Sequence, residues 1–155
     1  MTIEMLEQER NLARKNGNSE RLLVLNDIIA KARAKETAGK KKIELTERLV
    51  NDTLVEYRKM LKDGIKQMPE GHAVRVMYET QMEILSEFCP PVLEDEVQIE
   101  NLITKILYMD NIGISRKNKG RMMKALMPAL RAKYVNMDIA MPIIDFMISQ
   151  AEAAN

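Results

Sequence analysis

Val50, Leu54, Tyr57, Leu61, Ile65 and Met68 follow one another at spacings of 4, 3, 4, 4 and 3 residues. Such spacing returns side chains to one side of an α-helix, whereas on a strand it would scatter them over both faces. The same rule governs the rest of the chain. Leu22, Leu25, Ile29 and Ala32 make a stripe that Val24 and Ile28 widen, and Ile99, Leu102, Ile103, Ile106 and Leu107 make another. Period-two alternation nowhere runs long enough to build a sheet. The expected fold class is all-α.

Punctuation divides these stripes into seven helices. A thin stripe of Ile3, Leu6, Leu12 and Ala13 ends at Asn16-Gly17-Asn18, residue types that tolerate the left-handed geometry of a helix end. Asn18 or Ser19 is expected to cap the second helix and Thr46 the third. Gly39 and Lys40–Lys42 separate these two, and Pro69-Glu70-Gly71 closes the third. A fourth helix, from His72 to Phe88, is expected to turn Val76, Met77, Thr80, Ile84, Leu85 and Phe88 inward. Cys89-Pro90-Pro91 removes two backbone donors and biases Cys89 away from helix. The reading is an N-terminal helical lobe over 1–89, a proline linker over 90–93 and a compact three-helix lobe over 94–155.

In the second lobe Glu94, Asp95 and Glu96 suit the positive end of a helix dipole, and Asn111 with Gly113 closes that helix. The stretch from Ile114 to Tyr134 follows. Met122, Met123, Leu126, Met127 and Leu130 form its apolar stripe, with Pro128 expected to kink it near Lys124 or Ala125. Asp138 is expected to cap the last helix, with Pro142 in its first turn. Ile139, Ile143, Phe146 and Met147 would form the inner face.

Function is harder to read. The 155 residues are 46% apolar but only 4% aromatic, so Leu, Ile, Val and 13 Met must supply the core. Net charge is +1, so binding to nucleic acid would need a local patch. One patch stands out. Arg116, Lys117, Lys119, Arg121, Lys124, Arg131 and Lys133 surround the Met-rich stripe with no acidic residue among them. A second basic run, residues 31–42, reads as a solvated loop, with phosphate contact as the alternative. The N-terminus has no basic leader, and no apolar run reaches the roughly 18 residues of a membrane span. The expectation is a cytoplasmic protein without a membrane partner.

Catalytic chemistry has few candidates. Cys89 is the only cysteine and has no histidine close in sequence, so it reads as a small apolar residue. His72 is the only histidine and reads as a solvated or capping residue. The carboxylates Glu94, Asp95, Glu96 and Glu100 read as helix-end charge, with no companion set for a metal. No glycine-rich phosphate loop accompanies them. No catalytic residue, metal site or cofactor is therefore assigned.

Several stretches resemble the GatB/YqeY family, the YqeY-like proteins and the tail domain of the B subunit of the glutamine-dependent tRNA amidotransferase. They are Ser19-Glu20-Arg21-Leu22-Leu23-Val24-Leu25, Leu45-Thr46, the run Glu83 to Pro90 (EILSEFCP), and above all Gly120 to Leu130 (GRMMKALMPAL). The resemblance follows the order of nearly the whole chain. It implies a two-lobed helical fold and a module that holds tRNA while other domains perform carbon–nitrogen ligation with glutamine as amido donor. The seven basic residues above would then neutralise phosphates. The alternative is a protein-interaction or structural module. Its Met-rich second lobe (Met122, Met123, Met127, Met137, Met141 and Met147) would take a partner helix or a second copy.

Overall fold

The computed structural model describes every residue from Met1 to Asn155. It contains seven α-helices and no strand: α1 (Ile3–Lys15), α2 (Ser19–Thr37), α3 (Glu47–Gln67), α4 (Ala73–Ser86), α5 (Glu96–Met109), α6 (Lys119–Ala132) and α7 (Met137–Ala153). They form two compact units, Met1–Pro90 and Pro91–Asn155, each with its own apolar core.

In the first unit the helix ends follow local chemistry. Asn18 accepts from the Arg21 N–H at 3.1 Å and Thr46 from the Leu49 N–H at 3.2 Å. At the end of α1 the Gly17 N–H bonds to the Arg14 carbonyl and the Asn18 N–H to the Ala13 carbonyl. Gly17 sits at φ +66°, the left-handed conformation this two-bond closure requires. His72 caps α4, its Nδ1 accepting from the Val74 N–H at 3.1 Å. Val24, Leu25, Ile28, Ile29 and Ala32 of α2 pack with Val50, Leu54, Tyr57 and Leu61 of α3. Tyr57 is buried and donates its hydroxyl to Asp27 at 3.0 Å. Burial first, and the Asp27 carboxylate second, push this phenol well above its ordinary pKa. Arg21 joins three elements by bonding Glu9 of α1 at 3.0 Å and Glu87, just past α4, at 2.6 Å.

Two faces differ from the expectation. Leu12 is half exposed, so α1 buries only Ile3, Leu6 and Ala13. In α4, Val76 and Met77 point to solvent, whereas Ile84, Leu85 and, just past the helix, Phe88 turn inward as expected, joined by Tyr78 and Met82. Gly64 explains that orientation. A Cβ there would lie 2.7 Å from Cε2 and 2.9 Å from Cδ2 of Tyr78, so α3 and α4 meet ring against backbone. In an open helix Gly64→Ala would gain about 1 kcal/mol. Here overpacking of about 1–3 kcal/mol opposes that gain. A net loss of about 1 kcal/mol is expected in urea unfolding followed by circular dichroism, and a stabilised variant would contradict the packing.

The second unit packs Ile99, Ile103 and Leu107 of α5, Met122, Leu126 and Leu130 of α6, and Ala140, Ile144 and Ile148 of α7. Both α5 and α6 end in the two-bond closure seen in α1, with Asn111 (φ +52°) and Tyr134 (φ +50°) in the left-handed position. Leu93 bonds across to the turn between α6 and α7. Its N–H reaches the Tyr134 carbonyl at 3.0 Å, and its carbonyl receives the Asn136 N–H at 2.9 Å. Asn136, not Asp138, caps α7, because its Oδ1 accepts from the Asp138 N–H at 3.0 Å. The cap lies two residues earlier than expected, so Pro142 falls in the second turn of α7 rather than the first. Ala140, Ile144 and Ile148 are the fully buried residues of α7, and the expected Ile139, Ile143 and Met147 pack half-buried against the same core, but Phe146 is largely exposed. Helix α6 continues through Pro128. Pro128 is on the solvent side, so the Lys124 carbonyl that loses its helical donor can turn to water.

Candidate nucleic-acid interface

Residues 115–118 form a turn rather than the first turn of a helix, so Arg116 and Lys117 precede α6. The turn is held from within. The Asn118 N–H contacts the Ser115 carbonyl at 3.1 Å and Ser115 Oγ at 3.2 Å. Asn118 Nδ2 donates to the Gly113 carbonyl at 2.9 Å. Asn118 therefore occupies the N-cap position of α6 without a side-chain capping bond, and no acidic residue lies in the first turn. Lys119 and Arg121 stand there instead, at the positive end of the helix dipole. Each like charge at such an end costs about 0.3–1 kcal/mol, and an anion brought to it is favoured.

At 3.6 residues per turn, Arg121, Lys124 and Arg131 fall within roughly 80° of arc, opposite the buried stripe of Met122, Leu126 and Leu130. All three are exposed, and the row is about 15 Å long. Arg121 and Lys124 face no carboxylate. Lys117 precedes the row and Lys133 follows it, both exposed.

Arg116 and Lys119 turn toward α7. Lys119 Nζ lies 2.7 Å from Asp145 Oδ1, and the Arg116 backbone N–H donates to Glu152 Oε1 at 2.9 Å. Arg116, Lys119, Asp145, Ile148 and Ser149 line a hollow of about 350 Å³. The Lys119–Asp145 pair is exposed on both sides, so it holds geometry more than stability. The seven basic residues are therefore not one patch. Five lie along or beside the outer flank of α6, and two border carboxylates of α7. Asp145 and Glu152 escaped the sequence reading. The signal was present, since Asp138, Asp145 and Glu152 repeat every seventh residue and so share one side of α7.

The methionines also resolve differently. Met122 is wholly buried and cannot be part of a partner surface. Met123, Met137, Met141 and Met147 are half-buried against the same core, and Met127 is half-buried on α6. The exposed large apolar residues of this unit are instead Val97, Tyr108, Met109 and Phe146.

In the basic run at 31–42, Arg33 bonds Glu7 and Glu36, Lys35 bonds Glu56, and Lys42 bonds Glu36. Lys31 lies over the Tyr57 ring at 5.7 Å, so four of the six cations of that run are engaged within their own unit. Cys89 is half-buried, and burial pushes its thiol up to about 11 against the opposing charge of Arg58. It is a neutral thiol near pH 7, far from the thiolate that nucleophilic chemistry requires. No helix is long and apolar enough to cross a membrane. No protein-family model matches this chain, and no curated protein matches it in sequence.

Proposed function

We propose that the chain is a non-catalytic helical binding module whose second unit takes the phosphate backbone of a folded RNA, with tRNA the partner implied by its GatB/YqeY-like runs. One observation carries the reading. Arg121 and Lys124 hold an exposed flank of α6 without carboxylate partners, beside a helix N-terminus that carries cations where stability favours acids. Residues placed against a local preference mark positions kept for something other than folding. The resemblance of Gly120–Leu130 to the family's most specific run falls on the same helix.

The contacts would be to phosphate rather than to bases. The row has no aromatic side chain within it, and Tyr134 alone stands near its end. On this reading the module positions an RNA for chemistry performed by other chains, as the tail domain of the amidotransferase is understood to do.

Asp145 gives a test in the direction of gain. It holds Lys119, the first residue of α6, at 2.7 Å. Asp145→Asn is expected to strengthen binding of bulk tRNA about threefold to tenfold at low salt, read by filter binding, since one further phosphate contact becomes available. Unchanged or weaker binding in the folded variant would overturn the assignment of this edge to the interface.

A further inference from the structure

Helix α4 buries only Leu85 fully, yet it is among the more apolar helices of the chain. Ala73, Met77, Thr80 and Ile84 recur on it at spacings of 4, 3 and 4, with Val76 beside them. That is the period of a helix-packing seam; Ile84 packs against the unit's core, Thr80 is half-buried, and Ala73, Val76 and Met77 are exposed. Val76 is 50% exposed and Met77 45%, and Leu23 of α2, 56% exposed, closes the other side. Together with Glu20 and Gln81 these residues line a groove of about 260 Å³.

The charge in the groove's lining is acidic. Glu20 is the only ionisable group in its lining. Glu83 flanks the seam on α4, and neither carboxylate has a partner. The neighbouring cations are engaged elsewhere. Arg21 is held by Glu9 and Glu87, and Arg75 by Glu79 at 2.9 Å and the Met68 carbonyl at 3.1 Å.

We propose that this groove docks an amphipathic helix of a partner protein, with an apolar stripe at i, i+3/i+4 and i+7 flanked by lysine or arginine. Apolar anchors would enter between Leu23, Val76 and Met77, and the flanking cations would meet Glu20 and Glu83. A second copy of this chain fits worse. A two-fold pairing of this face brings a surface with free carboxylates and no free cation onto itself, and like charges across an interface are repulsive. The proposal concerns the first unit alone and stands whether or not the second unit binds RNA.

The test uses the full chain and three labelled synthetic helices. One has a leucine stripe flanked by lysines, one has the same stripe flanked by glutamates, and one is a scrambled version of the first. Fluorescence anisotropy is expected to show the lysine-flanked helix binding at least tenfold tighter than the other two. Glu20→Lys with Glu83→Lys is expected to reverse the preference toward the glutamate-flanked helix. Amide chemical shifts of the wild-type chain should move in α4 and the start of α2, a readout that needs no variant. Equal binding of the lysine-flanked and scrambled helices would overturn the proposal, as would shifts confined to other helices. Concentration-dependent self-association that Met77→Asp abolishes would also overturn it, by giving the face to a second copy.

Discussion

Met122→Ala is expected to destabilise the chain by about 2–4 kcal/mol, the usual cost of emptying a buried aliphatic site. Met122 is fully enclosed in the core that also holds Ile99, Ile103, Leu126 and Ile144. Its thioether has no route to a partner. Met109 is the matched control, because it is 72% exposed on α5. Met109→Ala is expected to change stability by less than about 0.5 kcal/mol. Urea unfolding of both variants decides the matter. Near-equal effects would mean that Met122 is not the core residue its packing makes it.

The second large effect is electrostatic. Arg121→Glu combined with Lys124→Glu replaces two cations by two anions on the flank assigned to phosphate. Every phosphate that is no longer neutralised lowers the dependence of log K on log salt by about 0.7–0.9. Removing two such cations should therefore take roughly 1.5 from that slope. Reversal also adds repulsion, so affinity for tRNA at low salt is expected to fall at least about 100-fold. The fold should survive, because both side chains are exposed and acid in the first turn of α6 suits the dipole. Slightly higher thermal stability together with abolished RNA binding is the paired result that separates function from folding. Lys133→Glu alone, at the end of the row, should cost less.

What could be read from the sequence depended on how one-sided each helix is. In α3 the apolar residues occupy one arc and charges the rest, so Val50, Leu54, Tyr57 and Leu61 were legible as core. The stops and caps at Gly17, Asn18 and Thr46 were equally legible, because their chemistry is local. Helices α4 and α7 were legible only in part. Each carries two apolar arcs, and periodicity cannot say which one a neighbour will take. In α7 the core centres on Ala140, Ile144 and Ile148, with Ile139, Ile143 and Met147 at its border and Phe146 outside, and in α4 the contact of Gly64 with Tyr78 set the rotation. Both are tertiary choices.

The candidate interface was legible as composition but not as geometry. Seven cations in one stretch read as one patch. The turn at residues 115–118 and the pairing of Lys119 with Asp145 divide them, and the pairing depends on where α7 lies. The burial of Met122 follows from the same packing, since a methionine in a helical stripe looks alike whether it meets a core or a partner.

The most direct measurement is binding of the wild-type chain to bulk tRNA and to a random RNA of equal length, at low and at physiological salt. The account predicts tighter binding to tRNA at both salts, weakening steeply as salt rises. No binding, or equal salt-sensitive binding to both RNAs, would contradict it.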